Sequence, residues 1–72
     1  MRIISQDGKT DVPYENCIIY ATGGHVNAAA VGKSGYKEEL GKYETPERAI
    51  RVIYEINSDY MMGRRVHVMP SK

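Results

Sequence analysis

Tryptophan and phenylalanine are absent from this 72-residue sequence, and cysteine occurs once. A single thiol excludes an intrachain disulfide. A chain of this size buries only ~60% of the surface its unfolded form exposes, so it lacks one of the usual staples of small folds. The lone thiol, and the want of an export-type apolar stretch after Met1-Arg2-Ile3-Ile4-Ser5, fit a reducing, cytoplasmic setting. No run approaches the ~20 apolar residues of a membrane span. An excess of one charge is missing too: ten Lys and Arg face nine Asp and Glu, for a net +1. That argues against a broad basic field for duplex nucleic acid. Self-association is the expected remaining source of stability.

What is present is six tyrosines, with 42% hydrophobic and 26% charged residues. This is a globular balance with room for one domain, residues 1–72. Tyrosine has an apolar ring and a polar tip, which suits a thin core or a binding surface.

The pattern reads as an α+β domain of about five to six strands in the order ββ-ββ-β-α-β. A small antiparallel sheet of hairpins is expected to pack on one amphipathic helix. Residues 2–5 and 9–12 flank Asp7-Gly8, a hairpin signal of type I′, with Pro13 ending the second arm. Residues 15–21 are the strongest strand, with Cys17, Ile19 and Ala21 on one face and Asn16, Ile18 and Tyr20 on the other. Gly23-Gly24 turns the chain into residues 25–31, read as a strand with Val26, Ala28 and Ala30 on one face, although the alanines also suit a helix. After the loop Gly32-Lys33-Ser34-Gly35, Tyr36 to Tyr43 reads as a charged edge strand. The helix is the plainest element. Thr45 caps it and Pro46 sits in its first turn. Ala49, Val52, Ile53, Ile56 and Tyr60 share a face, Glu47 and Arg51 are spaced to pair, and Gly63 stops it. Arg65 to Met69 alternate as a last strand, with Val66 and Val68 expected inward.

No constellation in the sequence marks an enzyme, a metal site or a cofactor. Gly32-Lys33-Ser34 resembles the end of a phosphate loop, but Asn27 stands where the motif needs glycine. Cys17, His25 and His67 lack metal-ligand spacing, and Cys17 sits mid-strand among apolar neighbours, where thiols are inert. No third group is marked to orient either histidine for nucleophilic chemistry. The residues best suited to an anionic ligand are Lys33, Arg64 and Arg65 for phosphates, with His25 or Tyr36 stacking on a base. The plain alternative for Arg64 and Arg65 is a favourable place at a helix C-terminus. Ile18 and Tyr20, with Met61 and Met62, are left over once the helix covers one sheet face. They either finish the core or pair subunits.

The opening Met1-Arg-Ile-Ile-Ser-Gln-Asp-Gly8, the segment Asp11-Val12-Pro13-Tyr14-Glu15, and Leu40-Gly41-Lys42-Tyr43-Glu44-Thr45-Pro46-Glu47-Arg48-Ala49 resemble a family of small proteins of Gram-positive bacteria and their phages and prophages. The likeness covers somewhat under half of the chain and leaves out residues 22–36. It implies a viral, anti-defence role in immune evasion. On that basis the chain is expected to be a non-enzymatic homo-oligomer, paired through the sheet face bearing Ile18 and Tyr20, that sequesters a nucleotide-derived immune signal. The alternative is an inhibitor that binds a host defence protein directly.

Overall fold

The computed structural model describes residues 1–32 and 35–72. The elements are β1 (Arg2–Ile4), β2 (Asp11–Pro13), a short helical turn (Tyr14–Asn16), β3 (Cys17–Thr22), β4 (His25–Ala30), β5 (Lys37–Lys42), α1 (Pro46–Met61) and β6 (Val66–Val68). The α+β class and the expected element order hold. The single antiparallel sheet does not: the strands form two three-stranded sheets, β2-β1-β6 and β3-β4-β5. Within the first, β6 runs parallel to β1. The chain reaches β6 through α1, which leads from β5 in one sheet to β6 in the other.

The first hairpin pairs Ile3 with Val12, but its turn is not type I′. That turn needs positive φ at both central residues, and among the described residues only glycines have it, here Gly8 at 75°. Side chains complete the turn instead. The buried Ser5 hydroxyl donates to Asp7 Oδ1 at 2.6 Å and accepts from Thr10 N–H. The Asp7 carboxylate also accepts from Lys9 N–H at 2.9 Å. In the second hairpin only Gly23 takes positive φ, at 57°, as the first position of a type II′ turn does. Gly24 is needed for space: a Cβ there would lie 2.3 Å from Tyr43 O.

The sheet β3-β4-β5 is antiparallel, with a bulge in the β4–β5 ladder at Val26/Asn27. The bulge leaves Leu40 without a partner in the ladder, and its side chain is fully buried. Helix α1 lies over β3 and β4. Its capping is as expected at Thr45, whose side chain accepts from Arg48 N–H, and at Pro46. Ala49, Val52 and Ile56 are buried with Ile3, Val12, Val26, Ala28 and Leu40 in one core, against which Ile53, Cys17, Ile19 and Ala21 pack. Among the described residues there is no Glu47–Arg51 ion pair. Arg48 instead pairs with Glu55 at 3.0 Å. No helix among the described residues is long and apolar enough to cross a membrane.

The last strand faces opposite to expectation. His67 and Met69 are buried at 6% and 3% exposure, while Val66 and Val68 are exposed. Alternation alone permits either face, and a one-residue slip reverses both. The register decides. Arg2 N–H donates to Arg65 O and Met69 N–H to Ile4 O, which sets His67 beside the fully buried Ile3.

Gln6 joins the two sheets. Its N–H donates to Leu40 O at 2.7 Å, and its Oε1 accepts from Lys42 N–H at 2.9 Å. Its Nε2 donates toward the carbonyls of Lys42, Pro70 and Ser71. The outer edge of β5 is thereby occupied. Gln6→Ala is expected to destabilise the fold by about 1–3 kcal/mol, the cost of orphaning such groups, and urea unfolding measures it. A second expectation concerns acid. The Ser5 hydroxyl, then the Lys9 N–H, hold the Asp7 carboxyl below its usual range. A carboxyl with a lowered folded-state pKa stabilises the fold above its unfolded pKa, and that contribution disappears as pH falls through the folded value. Amide protection in the β1–β2 hairpin should drop in that acid window, and less so in Asp7→Asn.

Candidate functional site

The residues expected to bind a ligand do not gather at one place. Lys33 lies outside the described residues. His25 opens β4 opposite Lys42, on the face of β3-β4-β5 that points away from α1, and its Nδ1 pairs with Glu39 Oε1. Gly24 O accepts from Tyr43 N–H, so His25 stands near the start of α1. Arg64 and Arg65 follow the end of α1, a helix of 16 residues and so about 24 Å long. Tyr36 is exposed beside β5, with its hydroxyl 3.3 Å from Glu38 Oε1. Burial, then the Glu38 charge and hydrogen bond, push that phenol upward.

Arg64 has a local task. Gly63 takes φ 77°, its N–H donates to Tyr60 O, and Arg64 N–H donates to Asp59 O. This is the two-bond Schellman closure of a helix. The contact that usually accompanies it, between the residue after the glycine and the third residue from the helix end, is here an ion pair, Arg64 Nε to Asp59 Oδ1 at 3.3 Å. Asp59 uses its other oxygen, Oδ2, for His67 Nδ1 at 2.7 Å. His67 Nε2 is buried without a hydrogen-bond partner. The Asp–His geometry orients an imidazole, but no group of three metal-binding side chains exists among the described residues. Cys17 sits on β3 and His25 on β4, both in the other sheet.

Two surfaces remain, and sequence reasoning located only one of them. The first is the open face of β3-β4-β5. Register places Ile18, Tyr20 and Thr22, then Ala29, Asn27 and His25, then Lys37, Glu39 and Lys42 on this side. Ile18 is 58% exposed.

The second is a groove of about 560 Å³ between α1 and the free edge of β3. It is lined by Tyr14, Cys17, Ile19, Ile53, Tyr54 and Tyr60, among others. Tyr14 and Tyr60 stack with centroids 4.7 Å apart, and the Tyr14 hydroxyl donates to Asn57 Oδ1 at 2.9 Å. At its rim, the N-terminal ammonium holds the Glu15 carboxyl below its usual range. Burial pushes the Cys17 thiol up, which suppresses thiolate and with it nucleophilic reactivity. The signal for this groove was in the helix sequence. Ile50, Tyr54 and Met61 add a second apolar arc beside Ile53 and Tyr60, wider than one sheet face covers. Tyr54 is 71% exposed, and Ile50 and Met61 are exposed with it.

Compared with protein-family models, curated proteins and solved structures, the chain has no match. The Asp59 cluster yields a direct expectation. Asp59→Ala strands a buried imidazole N–H and should cost about 1–3 kcal/mol. Arg64→Ala removes an exposed ion pair and should cost under about 1 kcal/mol. Urea titration of the two variants separates them.

Proposed function

We propose that the chain is a non-enzymatic binding module whose working surface is the open face of β3-β4-β5, and that it acts by holding another protein. In the setting implied by the phage-type resemblance, that protein is a host defence factor. The observation that carries the reading is that face itself. It leaves Ile18 58% exposed, has the small Ala29 at its middle strand, and is rimmed by Lys37, Glu39 and Lys42. Three strands of six residues span on the order of 300 Å² in plan, the scale of functional patches on small proteins. Apolar groups on β3, small and polar groups on β4 and mixed charges on β5 make a surface about as apolar as protein interfaces are.

Sequestration of a nucleotide-derived signal is the second reading, and one feature supports it. The Tyr14–Tyr60 stack stands a helical turn before Arg64 and Arg65, so rings and guanidinium groups are available for a base and its phosphates. It makes no use of His25 or Tyr36, and Arg64, held to Asp59 through Nε, would offer its remaining guanidinium N–H groups.

The test uses affinity capture from host lysate, with native mass spectrometry of the purified bait. A protein captured by wild type and by Arg64→Ala/Arg65→Ala, and lost with Ala29→Arg, is the expected result. No such protein, together with a nucleotide-sized mass retained by wild type and lost in the double arginine variant, would overturn it in favour of the second reading.

A further inference from the structure

The two long edges of β3-β4-β5 are treated differently. The β5 edge is charged through Lys37, Glu38, Glu39 and Lys42, interrupted by a bulge and covered at Leu40 and Lys42 by Gln6. These are the devices that keep a strand edge from pairing. The β3 edge, Cys-Ile-Ile-Tyr-Ala-Thr, has no charge and no proline, its ladder to β4 has no bulge, and among the described residues no other strand pairs with it.

The unpaired groups on that edge can be identified. Val31 N–H donates to Asn16 O, and antiparallel ladders alternate. Ile18, Tyr20 and Thr22 therefore direct their backbone groups to β4, and Cys17, Ile19 and Ala21 direct theirs outward. Cys17 N–H is already taken by Tyr14 O. The N–H and C=O of Ile19 and of Ala21 remain, with the Cys17 C=O, a set of two donors and three acceptors on an uncharged strand.

We infer that the chain forms a twofold dimer by pairing β3 with β3 of a second copy, antiparallel, with the axis at Tyr20. Side chains of directly opposed residues share a face, so a residue can oppose only residues of its own parity. Of the registers that obey this, the one centred on Tyr20 sets Ile19 opposite Ala21 of the partner subunit and Ala21 opposite Ile19 of the partner subunit. It satisfies the N–H and C=O of both Ile19 and Ala21 on each chain. Centring on Ile19 would call on the Cys17 N–H that is already bonded. On the open face, Tyr20 meets Tyr20 of the partner subunit as a non-hydrogen-bonded pair, Cα atoms about 4.5 Å apart. Ile18 lies opposite Thr22 of the partner subunit.

The same axis accounts for the second apolar arc of α1. A twofold through paired edge strands stands perpendicular to the sheet, so both helices lie on one side of a continuous six-stranded sheet. Each is centred over β3 and β4. Two strand spacings of about 4.8 Å then separate the helix axes by about 10 Å, which is contact distance for packed helices. The arc that faces the axis is Ile53 and Tyr54, which line the groove above β3, continued along the helix by Ile50 beside Tyr54. A second copy is thus the occupant that fits. A lone peptide strand would fill the β3 edge and leave the helix arc bare. Ala29 and Arg64, the positions that test the proposed function, play no part in the pairing.

Sedimentation equilibrium on the intact chain tests the pairing. Wild type is expected at twice the monomer mass. Tyr20→Lys and Tyr20→Glu each set like charges opposite one another at the axis, on a side chain outside the core, and should each sediment as monomers with unchanged circular dichroism. Mixed in equal amounts, they should recover the dimer mass. In a Cys17→Ser background, Tyr20→Cys should form an intersubunit disulfide under mild oxidation, and Ile18→Cys, which faces threonine, should not. A wild type that stays monomeric through the high-micromolar range overturns the inference. So does a folded Tyr20→Lys that remains dimeric. If the charged variants fail to fold, the cysteine pair decides: equal cross-linking at positions 18 and 20, or none at 20, overturns it.

Discussion

Two small sheets and one helix share a single core because Gln6 ties them together. Its backbone N–H reaches Leu40 O and its side-chain amide reaches both backbone groups of Lys42. The same amide holds the carbonyls of Pro70 and Ser71. The Tyr43 hydroxyl donates to Pro70 O at 2.9 Å, so the end of β5, the turn after β1 and the segment after β6 meet around one side chain. The Ser5–Asp7 turn presents Gln6 in this position. Without it, the β5 edge would be open and the sheet β2-β1-β6 would be attached mainly through apolar contact. In a domain this small, where burial leaves a narrow margin over chain entropy, such polar ties decide whether the sheets belong to one cooperative unit.

Helix α1 carries two apolar arcs with different fates. Ala49, Val52 and Ile56 are buried in the core. Ile50, Tyr54 and Met61 are turned away from it and stay in solvent within one chain. Their cost in solubility is the kind a small protein bears when a surface is used. Tyr54 of this arc lines the groove beside the β3 edge, so unpaired backbone and an uncovered side chain occur together there.

Polar residues that look like ligand-binding groups in a linear reading have structural work in three dimensions. Arg64 pairs with Asp59 where the helix closes. His67 is buried and joins β6 to α1 through Asp59. His25 pairs with Glu39 across the β4–β5 ladder. Each of these contacts fixes where the side chain points and which of its nitrogens is left for another partner.

Local signals determined the elements. Thr45-Pro46 and Gly63 bound the helix because cap chemistry is local, and Gly23-Gly24 reverses the chain because glycine alone tolerates the required dihedral angle. The inward set of β4, Val26 and Ala28, was legible from period-two alternation once its neighbours were strands. The face of β6 was not. Val-His-Val-Met alternates equally well in either sense, and its orientation came from pairing with β1 and from Asp59 on the helix. The division into two sheets was equally invisible, since one glutamine side chain sets how they join. Nor does residue order show that His25 and Arg64 stand near opposite ends of a 16-residue helix. Which segments are helix and strand, and where they turn, follows from neighbours a few residues apart and is written in the linear order. Register, facing and the edge that stays open depend on contacts between residues far apart in the chain, and so are fixed when the elements meet.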